Sequence, residues 1–300
     1  DRYGLNFGRR SGILRQMRLL LTINHNSGSR CLRVVSFALL AAILGSGEAT
    51  ARHLIAGQNN DQLTPIQREI EHQRRRLSSA DIEERRDALM RLGSLKRPDA
   101  SRVAAVGLSD VVPIVRVTAM HAIRSLPPAE ATALLIPLLP DKLEFVRREA
   151  AYALGETHSR TAVAALIGLL TSDKDAAVRS AAAAALGEIG DESAVQPLSQ
   201  VLAGRTEKKK KAKTGDNQFV MRAAARSLGQ IRSRSGVEVL IATLANDAID
   251  NDVRREAATA LGLIGDASAG PALQAAFASS DPYLREAARE ALRLLKLARK

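Results

Sequence analysis

The chain has 300 residues, of which 46% are hydrophobic and 25% charged, but aromatic residues make up only 3% and tryptophan is absent. That scarcity argues against a bulky-cored globule and against a surface that stacks nucleic-acid bases, and the single cysteine, Cys31, excludes an intrachain disulfide. The net charge of +12 is local: residues 1–51 hold seven arginines against two acids, and residues 205–213 hold six basic side chains against one acid. What remains is nearly neutral, so charge gives no reason to expect a DNA-binding groove.

Residues 1–33 are basic, and Val34–Leu44 (VVSFALLAAIL) follows as an almost wholly apolar run of 11 residues. Gly45, Ser46, Gly47 and the small-residue site Ala49-Thr50-Ala51 come next. A basic flank, a short apolar run and an A-x-A site predict an export leader over 1–51, cut after Ala51, and hence a periplasmic or secreted bacterial protein. The run is shorter than the ~20 residues that span a bilayer, and an uncleaved anchor or an organelle transit peptide is the alternative. Residues 52–80 form a polar linker and a leading helix. Thr64-Pro65 supplies an N-cap and a proline at the first helical position, and Ile66, Ile70 and Leu77 form the apolar stripe. Ser78, with Asp81 three residues on, signals the cap of the next helix.

From residue 81 to 300 the sequence repeats. In VRREAAYALGE (146–156), Val146, Ala150, Ala153 and Leu154 share one face of a helix. The face recurs at Val178, Ala182, Ala185 and Leu186, and again at Val253, Ala257, Ala260 and Leu261. The position that closes each such helix is Gly93, Arg124, Gly155, Gly187, Gly229, Gly262 and Arg293, at spacings of 31, 31, 32, 42, 33 and 31. A period near thirty predicts an all-α solenoid of stacked antiparallel helix pairs wound into a right-handed superhelix. Each unit has a second helix, with apolar faces such as Val163, Leu166, Ile167, Leu170 and Val195, Leu198, Val201, Leu202. Pro197 and Pro271 fall near the first turns of their helices, where a missing N–H costs least, whereas Pro137 sits deeper and should kink its helix. The first unit is polar where later ones are apolar, and the last helix carries Arg289, Arg293 and Lys296 with no second helix after it.

The pattern resembles the HEAT repeat, in the short form known from phycobilisome lyases. D-x-x-x-x-V-R matches at Asp110…Val115-Arg116, Asp141…Val146-Arg147 and Asp173…Val178-Arg179, and A-x-x-A-L-G matches at 150–155, 182–187 and 257–262. Met221 departs from it, standing where the repeated arginine belongs. The resemblance implies a non-catalytic scaffold holding a protein partner on its concave face, without cofactor or metal. It further implies that second helices line that face, which nominates Gln196, Ser199, Gln200, Glu238, Thr243 and Gln274. The rival functions are an enzyme subunit of the HEAT-like lyase type and a HEAT-like nucleic-acid binder.

The recurring arginines Arg85, Arg116, Arg147, Arg179, Arg254 and Arg285 read as structural: an Asp caps each helix and an Arg one turn in pairs with an Asp of a neighbouring unit. His25, His53, His72, His121 and His158 show no metal-ligand spacing. The insertion Arg205–Gln218 accounts for the 42-residue spacing. Its Lys208, Lys209, Lys210, Lys211 and Lys213 read first as a solvated, disordered loop and second as a contact for an acidic partner, an anionic lipid head group or nucleic acid.

Overall fold

The structure, a computed structural model, describes residues 63–204 and 214–298. The described residues from Glu69 onward belong to one compact unit. The export leader, most of the linker and Lys208–Lys213 lie outside the described residues. The described residues are helical, with no strand among them, and no described helix is long and apolar enough to cross a membrane.

A leading helix α1 (Pro65–Arg76) precedes seven first helices: α2 (Ile82–Ser94), α4 (Pro113–Ala122), α6 (Glu144–Glu156), α8 (Ala176–Ile189), α10 (Thr214–Ile231), α12 (Asn251–Ile264) and α14 (Pro282–Ala298). Between them lie the second helices α3 (Pro98–Ala104), α5 (Pro128–Leu135), α7 (Val163–Ser172), α9 (Val195–Leu202), α11 (Val237–Ala245) and α13 (Gly270–Phe277). Each first helix packs on the next first helix, and each second helix packs on the first helix that follows it, which makes the two-layered solenoid the periodicity predicts. Val146, Ala150, Leu154, Leu166, Leu186 and Leu198 are each fully buried, so the two apolar faces meet as expected.

Local chemistry sets the ends. Thr64 and Gln67 cap α1 reciprocally, each side chain accepting the other's backbone N–H. Ile70 is buried, but Ile66 is 43% exposed and the polar Gln73 is the second buried residue of α1, so the stripe is narrower than the sequence suggested. Asp81, not Ser78, caps α2, because its carboxylate reaches the Glu83 amide at 2.9 Å. Pro137 does not kink a continuous helix: α5 stops at Leu135 and a 3-10 turn, Ile136–Leu138, takes over.

The repeated glycine does not close its helix. α6, α8 and α12 run past Gly155, Gly187 and Gly262, and α8 and α12 end instead three residues later at Gly190 and Gly265, both left-handed at φ 73° and 77°. The glycine closes the gap between units. A β-carbon on Gly229 would lie 2.8 Å from the Ala260 Cα, and one on Gly262 would lie 2.7 Å from the Ala291 Cα. Five of the six seams between first helices have this form: Gly93 on Ala122, Gly155 on Ala185, Gly187 on Ser227, Gly229 on Ala260 and Gly262 on Ala291. The second helices touch one another far less than the first helices do.

Candidate functional site

One edge of the stack is held by buried ion pairs. Arg85 grips Asp110 with two hydrogen bonds of 2.7 and 3.0 Å, and Arg147 grips Asp173 in the same way and at the same distances. Arg116 joins Asp141 at 2.8 Å. Each arginine reaches from one first helix to the turn before the next, and each also donates to a carbonyl of its own turn, Arg85 to Ser79, Arg116 to Asp110 and Arg147 to Asp141. The three aspartates in turn accept the amides of Val112, Leu143 and Asp175. Burial pushes the Asp173 carboxyl up, but the Arg147 guanidinium and the Asp175 amide outweigh it and hold it below the usual carboxylate range. Asp110 is depressed on the same balance, with Arg85 and the Val112 amide opposing its burial. The arginine stripe is therefore used internally over the first four units, as the sequence indicated, whereas Arg254 pairs with Asp247 of its own turn and Arg285 donates to the Ser279 carbonyl.

The outward side of the first helices is different. Counting from the ladder arginine as zero, positions −2, +1 and +5 stand about one and two helical turns apart on one side. Position −2 carries Ile114, Phe219 and Tyr283, which are 41, 60 and 69% exposed, and position +5 carries Met90 and Tyr152, which are 51 and 42% exposed. Position +1 carries Arg86, Arg148, Arg222 and Arg255. Their charges are matched locally: Arg86 meets Glu83, Arg148 meets Glu149, and Arg222 and Arg255 both meet Asp252. Arg255 also lies over the Tyr283 ring, 5.3 Å from its centre. Large apolar side chains thus stand exposed on this face in five of the seven first helices, α8 and α12 having Ala177, Ala184, Asp252 and Thr259 at those positions, and no motif in the sequence announced them; the signal was the identity of the non-core positions within the repeat.

Of the second-helix residues nominated from the sequence, Gln196, Gln200, Glu238 and Gln274 are exposed on α9, α11 and α13. Thr243 is not available: it is 3% exposed, and its hydroxyl donates to the Val239 carbonyl at 2.8 Å. The Ser199 hydroxyl oxygen is buried without a hydrogen-bond partner. The four glutamine and glutamate side chains are spread along three helices rather than gathered at one point. His72, His121 and His158 are exposed, and among the described residues no group of three or more His, Cys, Asp or Glu side chains is placed to hold a metal.

One seam is open. Arg124 occupies the repeat's glycine position two residues past the end of α4, and its partner Ala153 on α6 is half-buried, whereas Ala122, Ala185, Ala260 and Ala291 at the equivalent place are buried. A cavity of about 240 Å³ results, lined by Met120, Ile123, Leu126, Ala131, Leu135 and Ala153, with the ion pair Arg124–Glu156 beside it.

A family model described as HEAT repeats matches residues 135–215 and 209–293. The X-ray structure of the Escherichia coli protein YibA is 18% identical, covers 98% of this chain and 99% of its own, and superposes with a TM-score of 0.52, a likeness of fold. The complex of CpcE and CpcF of phycocyanin lyase from Nostoc sp. PCC7120 is 26% identical over 80% of this chain and 89% of that one, with a TM-score of 0.45. Human deoxyhypusine hydroxylase in complex with glycerol is 19% identical over 89% and 96%, with a TM-score of 0.39. A search of curated proteins gave no match.

Proposed function

Because this chain belongs to the HEAT-repeat family, we propose that it is a non-catalytic scaffold that holds a protein partner on the face presented by its first helices. The observation that carries this reading is the recurrence of exposed Met90, Ile114, Tyr152, Phe219 and Tyr283 at two equivalent positions of that face. Exposed large apolar residues that follow a repeat register form an extended surface of the kind that marks protein–protein contacts, and aromatic and arginine side chains dominate such contacts. The packing supports the same choice. A stack whose first-helix layer is drawn together by glycine, while its second helices touch little, bends towards the closer layer. On this reading the first helices form the inner wall, in place of the second helices that the resemblance implied.

The partner contacts are therefore expected at Tyr152, Arg148, Phe219 and Tyr283, with Gln196, Gln200, Glu238 and Gln274 on the outer wall. Lys208–Lys211 and Lys213 supply a separate contact for an acidic segment of the partner. The leader-like residues 1–51 support a periplasmic or secreted location. Affinity capture with the tagged chain, followed by hydrogen exchange on the purified complex, tests the reading. Protection on α4, α6, α8 and α10 supports it; protection confined to α7, α9 and α11 overturns the choice of face.

A further inference from the structure

The open seam between α4 and α6 has a cause, a size and a chemistry. In the five closed seams a glycine lets the next first helix settle directly on it. At the second seam that glycine is Arg124, whose side chain turns out to pair with Glu156 and leaves Ala153 uncovered. The first helix is also short there: α4 ends at Ala122, two residues before Arg124, whereas α6, α8 and α12 run past the equivalent glycine. Two departures from the repeat thus meet at one place, and the space between them remains.

The cavity, about 240 Å³, is larger than the roughly 150 Å³ apolar cavity that takes a benzene ring and smaller than the ~300 Å³ at which pockets for drug-sized ligands begin. A single mono- or bicyclic group fits that interval. The floor is apolar: Met120, Ile123, Leu126 and Leu135. Met120 brings a thioether, which packs well against aromatic rings. At the side stand a guanidinium suited to a ring face and a carboxylate able to accept one N–H or O–H. The Arg124 and Glu156 side chains are 54 and 41% exposed, so this wall of the cavity is in water and a ring bound there can stay attached to a chain outside.

We propose that this cavity receives one aromatic side chain of the protein partner. The inference rests on the scaffold reading and adds the anchor by which the partner is recognised. It also gives Arg124 a role: the residue keeps the seam open and forms part of the rim.

Two probes separate the sources of such a ring. Indole is the free aromatic; N-acetyl-tryptophanamide carries the same ring on a peptide backbone. Each is titrated into the full chain labelled at methionine and alanine methyl groups. Saturable shifts of the Met120 and Ala153 methyl signals with both probes are the expected result. Ala153→Leu, which fills the cavity, and Arg124→Gly, which copies the five closed seams, should each weaken both probes by about tenfold or more. If Ala153→Leu fails to fold, Arg124→Gly carries the test alone. Absence of shifts at Met120 and Ala153 overturns the proposal, and so does binding undiminished in the variants. Binding of indole without N-acetyl-tryptophanamide also overturns it, since a site closed to the backbone cannot take a partner's side chain. None of these failures touches the scaffold reading, which is read from partner capture.

Discussion

Gly155 lies so close to Ala185 that a β-carbon at 155 would stand 2.9 Å from the Ala185 Cα and 3.0 Å from its Cβ. Such a contact forces the neighbouring helix to move. Gly155→Ala is therefore expected to destabilise the chain by about 1–3 kcal/mol. Gly168 is the control. It lies inside α7 with nothing within 4 Å of its missing β-carbon, so Gly168→Ala should stabilise by about 0.5–1 kcal/mol. Thermal denaturation of the two variants side by side checks both signs.

The ladder sets a second expectation. Arg147 and Asp173 are 8 and 7% exposed. Arg147→Met leaves the Asp173 carboxylate buried without its cation, at a cost of about 3 kcal/mol at neutral pH. Asp110 and Asp173 are depressed in the folded chain. Their contribution is thus complete above the unfolded carboxyl pKa of about 4, and is lost as pH falls through the lower folded values. The gap between native and Arg147→Met stabilities should accordingly be full at neutral pH and shrink below about pH 4. Denaturant unfolding across a pH series checks it; a gap that stays constant into acid would show that the pair is not what holds the turn.

Leu186 is fully buried between units. Leu186→Ala should cost about 2–5 kcal/mol, and in a stack of units that lean on their neighbours the loosening should stay local. Hydrogen exchange is expected to rise chiefly near residues 146–202. A uniform rise from residue 81 onward would instead mark a single cooperative core.

The leader and the lysine run give the next expectation. N-terminal sequencing of the exported product should read Arg52-His53-Leu54; recovery of the uncut chain from the cytosol would remove both the cleavage site and the compartment. Replacing Lys208, Lys209, Lys210 and Lys211 by glutamine should leave the melting temperature nearly unchanged. If the run meets an acidic partner, binding should weaken with salt, because exposed charges are screened over ~10 Å at 0.1 M. Salt-independent binding that the glutamine variant leaves unchanged would remove the lysines from recognition.

Much of this fold was legible because its grammar is repeated. Val146, Ala150 and Leu154 declare a buried face, and five more copies of that face leave little room for another architecture. The ladder was legible for the same reason, since Asp141 and Arg147 recur with constant spacing. The role of the glycine was not, because a glycine near a helix end reads as a cap, and only the distance from Gly155 to Ala185 shows that it serves packing. The candidate face was least legible. Tyr152 and Phe219 follow no fixed residue identity, and which layer of helices lies closer is set by backbone approach, which no side-chain pattern states. The cavity at Arg124 was hidden as well, since an arginine in a glycine register passes as ordinary variation until Ala153 is seen uncovered.

The central claim is that the first-helix face holds the partner, and the affinity of the captured partner for two sets of variants tests it most directly. Tyr152→Ala and Phe219→Ala remove exposed side chains, so melting temperatures should hold while affinity falls by about tenfold or more for at least one of them. Gln196→Ala and Gln200→Ala on α9 should leave affinity within about a factor of two. Unchanged affinity in both first-helix variants, with loss in the α9 pair, would contradict the account.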